Sequence, residues 1–373
     1  APFAAYVDAL IADLDHDLPL VWGRTVRSVF FGGGTPSLFP AEAIDRFLQA
    51  AAARLRFAPG CEITLETNPG TAEHGRFEDY LRAGVNRVSF GIQSFDDGCL
   101  HRLGRIHDSA QAEAAVKLAQ DAGLDNLNLD LMYALPEQTP VMAEADLARA
   151  FALAPAHISH YQLTLEPNTV FAARPPAGLP DDDDAWDMQE RCQALLAQAG
   201  YAQYEISAYA RPGRQCAHNL NYWRFGDYLG LGAGAHGKIS LPAAVGDGES
   251  EAGPATDPAG RILRRWKLKH PTAYLAQAAA GAAATGGLIG GDSEIAPAQR
   301  PFEFMLNALR LREGFPLARY EARTGLPRSA IAAPLGVALE RGWLQASDDG
   351  AWLHPTETGL RFANDVMALF LDE

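Results

Sequence analysis

Short apolar runs alternate along this chain with longer segments in which apolar residues recur at helical spacing. The runs predict strands at 27–31, 62–67, 87–92, 126–132 and 157–163. Helical periodicity predicts helices at 3–14, 40–55, 77–83, 111–122 and 141–153. Regular strand-then-helix alternation is typical of a parallel sheet with helical crossovers. We therefore predict an α/β fold, a full or partial (βα) barrel. Because the pattern starts on a helix, we expect the first strand to be missing.

The remainder of the chain follows a different pattern. An acidic run at 181–184 precedes a predicted helix at 186–199, and we interpret the run as an N-terminal cap instead of a metal site. Residues 241–260 are rich in Gly, Pro and Ala, which predicts a solvated loop tip. From residue 296, three predicted helices surround a hairpin and favour a winged-helix-like cap; the helices lie at 304–311, 331–341 and 356–371. The predicted domains are 1–240, 241–295 and 296–373.

Composition excludes several classes of protein. The 31 Lys and Arg against 46 Asp and Glu leave a formal net charge of -15, which argues against a general binder of nucleic acid or anionic membranes. The longest uncharged stretch, 271–291, is too weakly apolar to span a bilayer. The four cysteines are scattered, with no two at metal-ligand spacing, so we expect reduced thiols and a cytoplasmic location.

Polar residues gather where the predicted strands end. Three glycines, at 32–34, follow the first strand, and a glycine run alone is most simply a turn. Later strands end on or near Glu66, Gln93 and Asp130, and the fifth is followed by Glu166 and Asn168. The carboxyl ends of parallel strands line the ligand site of a βα barrel. We therefore predict a site here, with carboxylates for ribose hydroxyls and with the glycine backbone and Gln93 for an amino-acid moiety.

The ordered motifs of the chain resemble those of the HemW family, the radical S-adenosylmethionine (SAM) haem chaperones related to HemN, the oxygen-independent coproporphyrinogen oxidase. The resemblance runs nearly end to end and includes the C-terminal cap. The motifs that carry it are GGGTP at 32–36, LETNP at 65–69, RVSFGIQSF at 87–95, LGRIH at 103–107, NLDLMYALPEQT at 128–139, YQLTLEPNT at 161–169, YEISAYA at 204–210, HNLNYW at 218–223 and LGLGAGAHG at 229–237.

The resemblance implies a role for individual residues. It implies SAM contacts at Gly33, Gly34, Thr35, Glu66, Gln93, Arg105 and Asp130, with the glycine motif on the methionine amino group and Asp130 on the ribose. Arg105 is not identified from the residue pattern alone. The resemblance also implies a haem site at His218, Asn219, Tyr222 and Trp223, with His218 as candidate iron ligand. A structural histidine in a polar loop is the alternative for His218.

The chain departs from the family pattern at the iron–sulfur centre. Radical SAM proteins hold a [4Fe-4S] cluster through a Cys-x3-Cys-x2-Cys loop after the first strand, and this chain has no such motif. We expect that loop just upstream of Ala1, so no residue of this chain is predicted as a cluster ligand. A smaller departure is Ala134, where the family often has Gly.

Two functions remain open from the sequence. The first is a haem chaperone that passes haem to respiratory haem proteins, and HNLNYW favours it. The second is an enzyme, the oxygen-independent coproporphyrinogen III dehydrogenase, in which a radical drives decarboxylation of propionates. In either case a basic stretch could pair with propionates or form a solvated strand face; it contains Arg261, Arg264, Arg265, Lys267 and Lys269. A homodimer is also left open.

Overall fold

The computed structural model describes residues 2–71, 76–167, 169–242 and 260–371. Most of the predicted loop tip at 241–260, and Asn168, lie outside the described residues. The helices are α1 (Phe3–Asp17), α2 (Ala41–Ala52), α3 (Arg76–Arg82), α4 (Asp97–Arg102), α5 (Ser109–Asp121), α6 (Pro140–Ala152), α7 (Val170–Ala173), α8 (Asp182–Gln198), α9 (Ala217–Trp223), α10 (Pro271–Ala279), α11 (Arg300–Ala308), α12 (Leu317–Thr324), α13 (Ala332–Glu340), α14 (Glu357–Arg361) and α15 (Ala363–Ala368). The strands are β1 (Thr25–Phe31), β2 (Arg56–Thr67), β3 (Arg87–Gln93), β4 (Leu127–Tyr133), β5 (His157–Gln162), β6 (Ala202–Glu205), β7 (Ala208–Ala210), β8 (His236–Leu241), β9 (Arg261–Lys267), β10 (Ile289–Glu294), β11 (Phe315–Pro316), β12 (Leu344–Ala346) and β13 (Trp352–Pro355).

The chain divides into two compact units, and each is described by itself. The first, here the sheet unit, consists of Val26–Leu48 and Ala58–His218. The second, here the cap unit, consists of Ala1–Thr25, Gln49–Phe57 and Asn219–Glu373. Within the cap unit, α1 packs on α10 through a small apolar cluster that includes Ala9 and Tyr274. A helix at the start of the chain thus shares a core with residues more than 250 positions away.

A seven-stranded sheet organises the sheet unit, in the order β1-β2-β3-β4-β5-β7-β6. Strands β2 to β5 pair in parallel, and the hairpin β6–β7 closes the far side in antiparallel pairing. The parallel strands bury apolar side chains such as Leu65, Phe90, Leu129 and Ile158, each 0% exposed. Short runs that contain such apolar residues are why the five strands were visible in the sequence. The predicted α/β partial barrel is confirmed.

Local features divide one predicted helix and form another helix that the sequence pattern did not predict. The single helix predicted at 356–371 is broken into α14 and α15, because Phe362 leaves the helical region at φ -103° and ψ 33°. Helix α4 was not predicted; it is short, and its N-terminus is held by Asp96, which accepts the Cys99 N–H at 2.8 Å. The acidic run behaves as predicted, since Asp181 accepts the Asp184 N–H at 2.8 Å at the start of α8.

The cap unit contains two small sheets. Strands β8, β9 and β10 form one antiparallel sheet, and β11, β13 and β12 form the other, with α11 to α15 around it. The second sheet with its helices is the winged-helix-like arrangement that the sequence predicted. In the first, Lys267 on β9 is buried between Asp13 and Asp17 of α1, with Nζ–Oδ distances of 2.5 and 2.7 Å.

The predicted basic stretch is strand β9 and its continuation. Arg261 lies 2.7 Å from Glu294, Arg264 pairs with Glu303, and Arg265 pairs with Asp17 and Asp292. Lys267 is held by the two aspartates of α1. Because carboxylates of the cap unit already engage these four cations, they form neither a merely solvated face nor an open set for propionates, and we assign them a structural role.

Candidate functional site

A polar cleft of 250 Å³ opens at the carboxyl ends of strands β1 to β4. Every residue for which the resemblance implies a SAM contact lies on its wall. The lining residues are Gly33, Gly34, Thr35, Pro36, Glu66, Thr67, Asn68, Ser89, Gly91, Gln93, Arg105, Asp130 and Tyr161. Glu166, which the strand-end pattern also singled out, is not among them; it accepts the Thr164 hydroxyl at 3.0 Å in an exposed loop.

The glycine run after β1 presents bare backbone to this cleft. Gly33 has φ +104°, a conformation that side-chain-bearing residues rarely adopt, and its N–H donates to Glu66 Oε2 at 3.2 Å. A Cβ at Gly33 or Gly34 would meet no protein atom within 4 Å, so both positions face open space. At Gly32, by contrast, a Cβ would lie 2.6 Å from the Phe30 ring. The run therefore combines one packing glycine with two whose backbone is open to a ligand.

Gln93 ends β3 in an unusual conformation. Its φ is +73°, the β3–β4 register shifts beside it, and its side chain is buried and accepts the Tyr161 hydroxyl at 2.9 Å. Left-handed backbone at a non-glycine residue costs about 1–2 kcal/mol and persists where the surroundings enforce it. The strain turns the Gln93 amide toward the cleft. Ser89, Gly91 and Gln93 share one face of β3 by strand alternation, a signal that could have found Ser89 from sequence.

Two carboxylates face the cleft. Asp130 accepts the Ser89 hydroxyl at 3.1 Å and the Asn128 amide at 2.8 Å. Burial raises the pKa of Asp130, against the opposing effect of these hydrogen bonds. Burial also raises the pKa of Glu66, and the nearby Asp130 charge adds to the effect. Two partly desolvated acids side by side make a site that favours a cationic or hydroxyl-bearing ligand.

Arg105 supplies the positive charge of the cleft. It follows α4 in the connection to α5, and Nη1 donates to Asn68 Oδ1 at 3.4 Å. Asn68 in turn donates to the Thr35 hydroxyl at 3.3 Å. Because Arg105 is not at a strand end, strand-end reasoning could not find it, and Tyr161 was missed because tyrosine near a strand end is ordinarily a core residue. The cleft thus offers two acids, one cation and open backbone.

His218 lies at the start of α9, in the sheet unit. Its backbone N–H donates to Glu62 Oε1 at 3.1 Å, and its ring stacks on Phe30 with centroids 4.3 Å apart. Burial lowers the pKa of His218 to about 4. The imidazole is therefore neutral at pH 7, which is the form that can ligate a metal.

The other three residues of the predicted haem motif belong to the cap unit. Asn219, Tyr222 and Trp223 are all half-buried on α9. The Tyr222 ring centroid lies 4.4 Å from that of Tyr228, and the Arg310 guanidinium lies 4.3 Å above the Trp223 ring. These contacts show two aromatic side chains that are already held by neighbours within their own unit.

The four cysteines do not form a metal centre. Each is buried and forms no disulfide: Cys61 is on β2, Cys99 on α4, Cys192 on α8, and Cys216 precedes α9. Burial raises the pKa of Cys99 and of Cys192 to about 12, so neither is a ready thiolate. Among the described residues no group of three or more His, Cys, Asp or Glu side chains is placed to hold a metal ion. Across the same residues, no helix has the length and apolar character that crossing a bilayer requires.

Comparison with known proteins identifies the class. Residues 17–150 match the family model of the radical SAM superfamily, and residues 295–362 match that of the HemN C-terminal domain. The solved structure of the coproporphyrinogen III oxidase HemN from Escherichia coli superimposes with a TM-score of 0.76 at 21% identity, over 99% of this chain and 83% of that one. That match shows the fold, and the chain is a radical SAM protein by fold and by family model.

Relatives that align with the whole of this chain identify one family within the class. The chain is 46% identical over 372 residues to the haem chaperone HemW of Escherichia coli, and 46% identical over 376 residues to that of Haemophilus influenzae. Each alignment covers 100% of this chain and 91% of the relative. The chain belongs to the HemW family.

Proposed function

We propose that this protein is a cytoplasmic haem chaperone that binds SAM in the strand-end cleft and haem through the segment beginning at His218, and that it delivers haem to respiratory haem proteins. The observation that carries the proposal is the full-length identity of 46% to two proteins named as haem chaperones. Four buried cysteines that form no disulfide are consistent with a reducing compartment.

The donor set of the cleft fits SAM. Open backbone at Gly33 and Gly34 can approach the methionine end closely, and Arg105 can pair with its carboxylate. Asp130 can accept from ribose hydroxyls, and Glu66 lies where a positive group is favoured. When bound, SAM would supply a sulfonium cation and an adenosyl group. The residues of this chain bind and orient that ligand.

The residues present do not fit the [4Fe-4S] cluster that radical SAM proteins use. Its ligands are thiolates, and the four thiols here are buried apart on different elements. We therefore assign no cluster ligand within this chain and derive no step through the cluster.

His218 fits the part of an iron ligand by its chemistry. Its imidazole is neutral at pH 7, its ring plane is set by the stack on Phe30, and the start of its helix is held by Glu62. The predicted haem motif continues with Tyr222, and an aromatic ring suits a porphyrin face.

Haem titration tests the proposal directly. We expect the full chain to give a shifted Soret band that saturates near one haem per chain, and His218→Ala to weaken haem binding at least about tenfold, as loss of an iron ligand should. His101→Ala, on the exposed face of α4 in the same unit, is the matched control and should bind like the wild type. Equal haem affinity in the wild type and His218→Ala would overturn the assignment.

Turnover of coproporphyrinogen would favour the enzymatic alternative. The fold match to HemN supports that alternative. At 21% identity, however, a shared fold does not imply a shared reaction. Haem capture without loss of propionate carboxyl groups is the result we expect.

A further inference from the structure

A buried chain of hydrogen bonds runs through the sheet unit to one wall of the cleft. It begins at Tyr204, whose hydroxyl lies 2.9 Å from His157 Nε2. His157 Nδ1 lies 2.5 Å from Asn128 Oδ1, and Asn128 Nδ2 lies 2.8 Å from Asp130 Oδ1. Ser89 joins from the side, accepting from Asn128 at 2.8 Å and donating to Asp130 Oδ2 at 3.1 Å. This series of hydrogen bonds therefore ends on the Asp130 carboxylate, which faces the cleft.

The chemistry of the side chains assigns the donor and the acceptor in each of these hydrogen bonds. An amide oxygen only accepts, so His157 must donate through Nδ1, and Nε2 must then accept from Tyr204. Ser159 also donates to Asn128 Oδ1, at 3.1 Å. With His157 and Ser159 both donating to its oxygen, the Asn128 amide is held with its NH₂ group facing Asp130. Without those donors the amide oxygen could face the carboxylate instead and repel it.

Burying the polar side chains of this network costs desolvation free energy, and a functional role for the Asp130 carboxylate at its end would account for that cost. His157 is 0% exposed and Asn128 is 2% exposed, so their polar atoms are removed from water at the centre of the sheet. Apolar residues at these positions would avoid that desolvation cost. Burial also keeps the pKa of His157 well below its ordinary value, so it stays neutral and keeps this donor–acceptor order. Asp130 is the one charged member of the chain traced here, and it lines the cleft.

We propose that Asn128, oriented by His157, is a positioning residue that fixes the Asp130 carboxylate to receive the ribose hydroxyls of an adenosyl ligand. The inference rests on the SAM site of the proposed function and deepens it. Neither Asn128 nor His157 lines the cleft, so each acts through Asp130. The arrangement makes the site selective for a ribose over a sugar that lacks its hydroxyls.

The test compares two ligands by calorimetry: S-adenosylhomocysteine and its counterpart with a 2′,3′-dideoxyribose. We expect Asn128→Leu and His157→Phe to weaken binding of the ribose ligand about tenfold, the size of one hydrogen bond to a charged group. Binding of the dideoxy ligand should change less than about twofold, because it makes no bond to Asp130. His157→Gln, which keeps a donor for Asn128, should restore ribose selectivity.

A neighbouring histidine provides the matched control. His160 is also buried on β5, but its ring stacks on Tyr133 with centroids 4.8 Å apart, outside the hydrogen-bonded chain. His160→Phe should leave ribose selectivity unchanged. Equal weakening of both ligands by Asn128→Leu would show a merely structural role and overturn the inference, as would unchanged affinity for the ribose ligand.

A ligand-free measurement separates this inference from the proposed function. Carboxyl ¹³C NMR, with Asp130 assigned by Asp130→Asn, should show the pKa of Asp130 rising further in Asn128→Leu, because the anion loses a donor. An unchanged pKa overturns the inference. If that pKa rises while the wild type binds neither nucleoside, the proposed ligand is wrong. The part of the inference that concerns ribose is then also wrong.

Discussion

The carboxylate of Glu62 accepts the backbone N–H of His218 at 3.1 Å, across 156 residues of chain. The same side chain accepts the Ala217 N–H at 3.0 Å and lies 3.4 Å from the Cys216 thiol. A strand residue thus accepts backbone N–H groups at the start of α9. The position of His218 depends on this carboxylate of β2 and on the stack of its ring on Phe30.

Replacing Glu62 should loosen the start of α9. We expect Glu62→Gln to lower the free energy of unfolding by about 1–2 kcal/mol, since a capping carboxylate and its charge near a helix N-terminus are lost. Urea denaturation measures the change. Glu78→Gln, an exposed glutamate in the same unit, should cost under about 0.5 kcal/mol. Similar losses in both variants would count against the capping role.

Stability should fall on mild acidification, in part through His218. Its pKa is near 6.5 in the unfolded chain and about 4 in the fold, so between these values the unfolded state binds more protons. Stability therefore rises with pH across that window and is lost as pH falls toward 4. His218→Gln should reduce the slope by up to about 1.4 kcal/mol per pH unit near pH 5, measured by denaturation at several pH values. An unchanged slope would contradict the buried, neutral imidazole.

Glu66 should matter for the ligand more than for the fold. We expect Glu66→Gln to weaken S-adenosylmethionine binding about tenfold, because a partly desolvated carboxylate beside the open glycine backbone is neutralised. Calorimetric titration provides the dissociation constant. Glu42→Gln, exposed on α2, is the control and should bind like the wild type. Wild-type affinity in Glu66→Gln would remove Glu66 from the site.

Ala134 occupies a backbone conformation that suits glycine. Its φ is +57°, in the left-handed region that glycine adopts most readily. Ala134→Gly should stabilise the protein by about 0.5–1 kcal/mol, the relief of left-handed strain less the entropy of glycine. Ala143→Gly, inside α6, should destabilise it by about 1 kcal/mol. Thermal unfolding of the two variants should therefore shift in opposite directions.

Lys267, a buried cation of the cap unit, should be sensitive to substitution. Lys267→Met leaves Asp13 without its cation and Asp17 with Arg265 alone, and we expect a loss of about 3–5 kcal/mol. Lys269→Met, two residues on and exposed, should have little effect. A small loss at Lys267 would show that the two aspartates find other partners or protons.

Most of the sheet could be predicted because its signal is local. Apolar residues recur at buried positions along β3 and β4, so both strands were visible in the sequence. Elements that depend on a cap or a break were harder: α4 is six residues long, and Phe362 divides a segment whose periodicity is continuous. The glycine run was visible too, although only its φ and open surroundings distinguish Gly33 from Gly32.

The sequence by itself determined the order of strands and helices, the family, and a set of polar residues at strand ends, since each follows from neighbouring residues or from ordered motifs. Only the tertiary structure decided which of those polar groups share a cleft. It brought Glu66 and Asp130 together with Arg105 and left Glu166 outside. It also converted a basic stretch into ion pairs, with Lys267 joined to Asp13. Such partners lie far apart in the sequence, whereas electrostatic interactions and burial depend on the distance between groups in space.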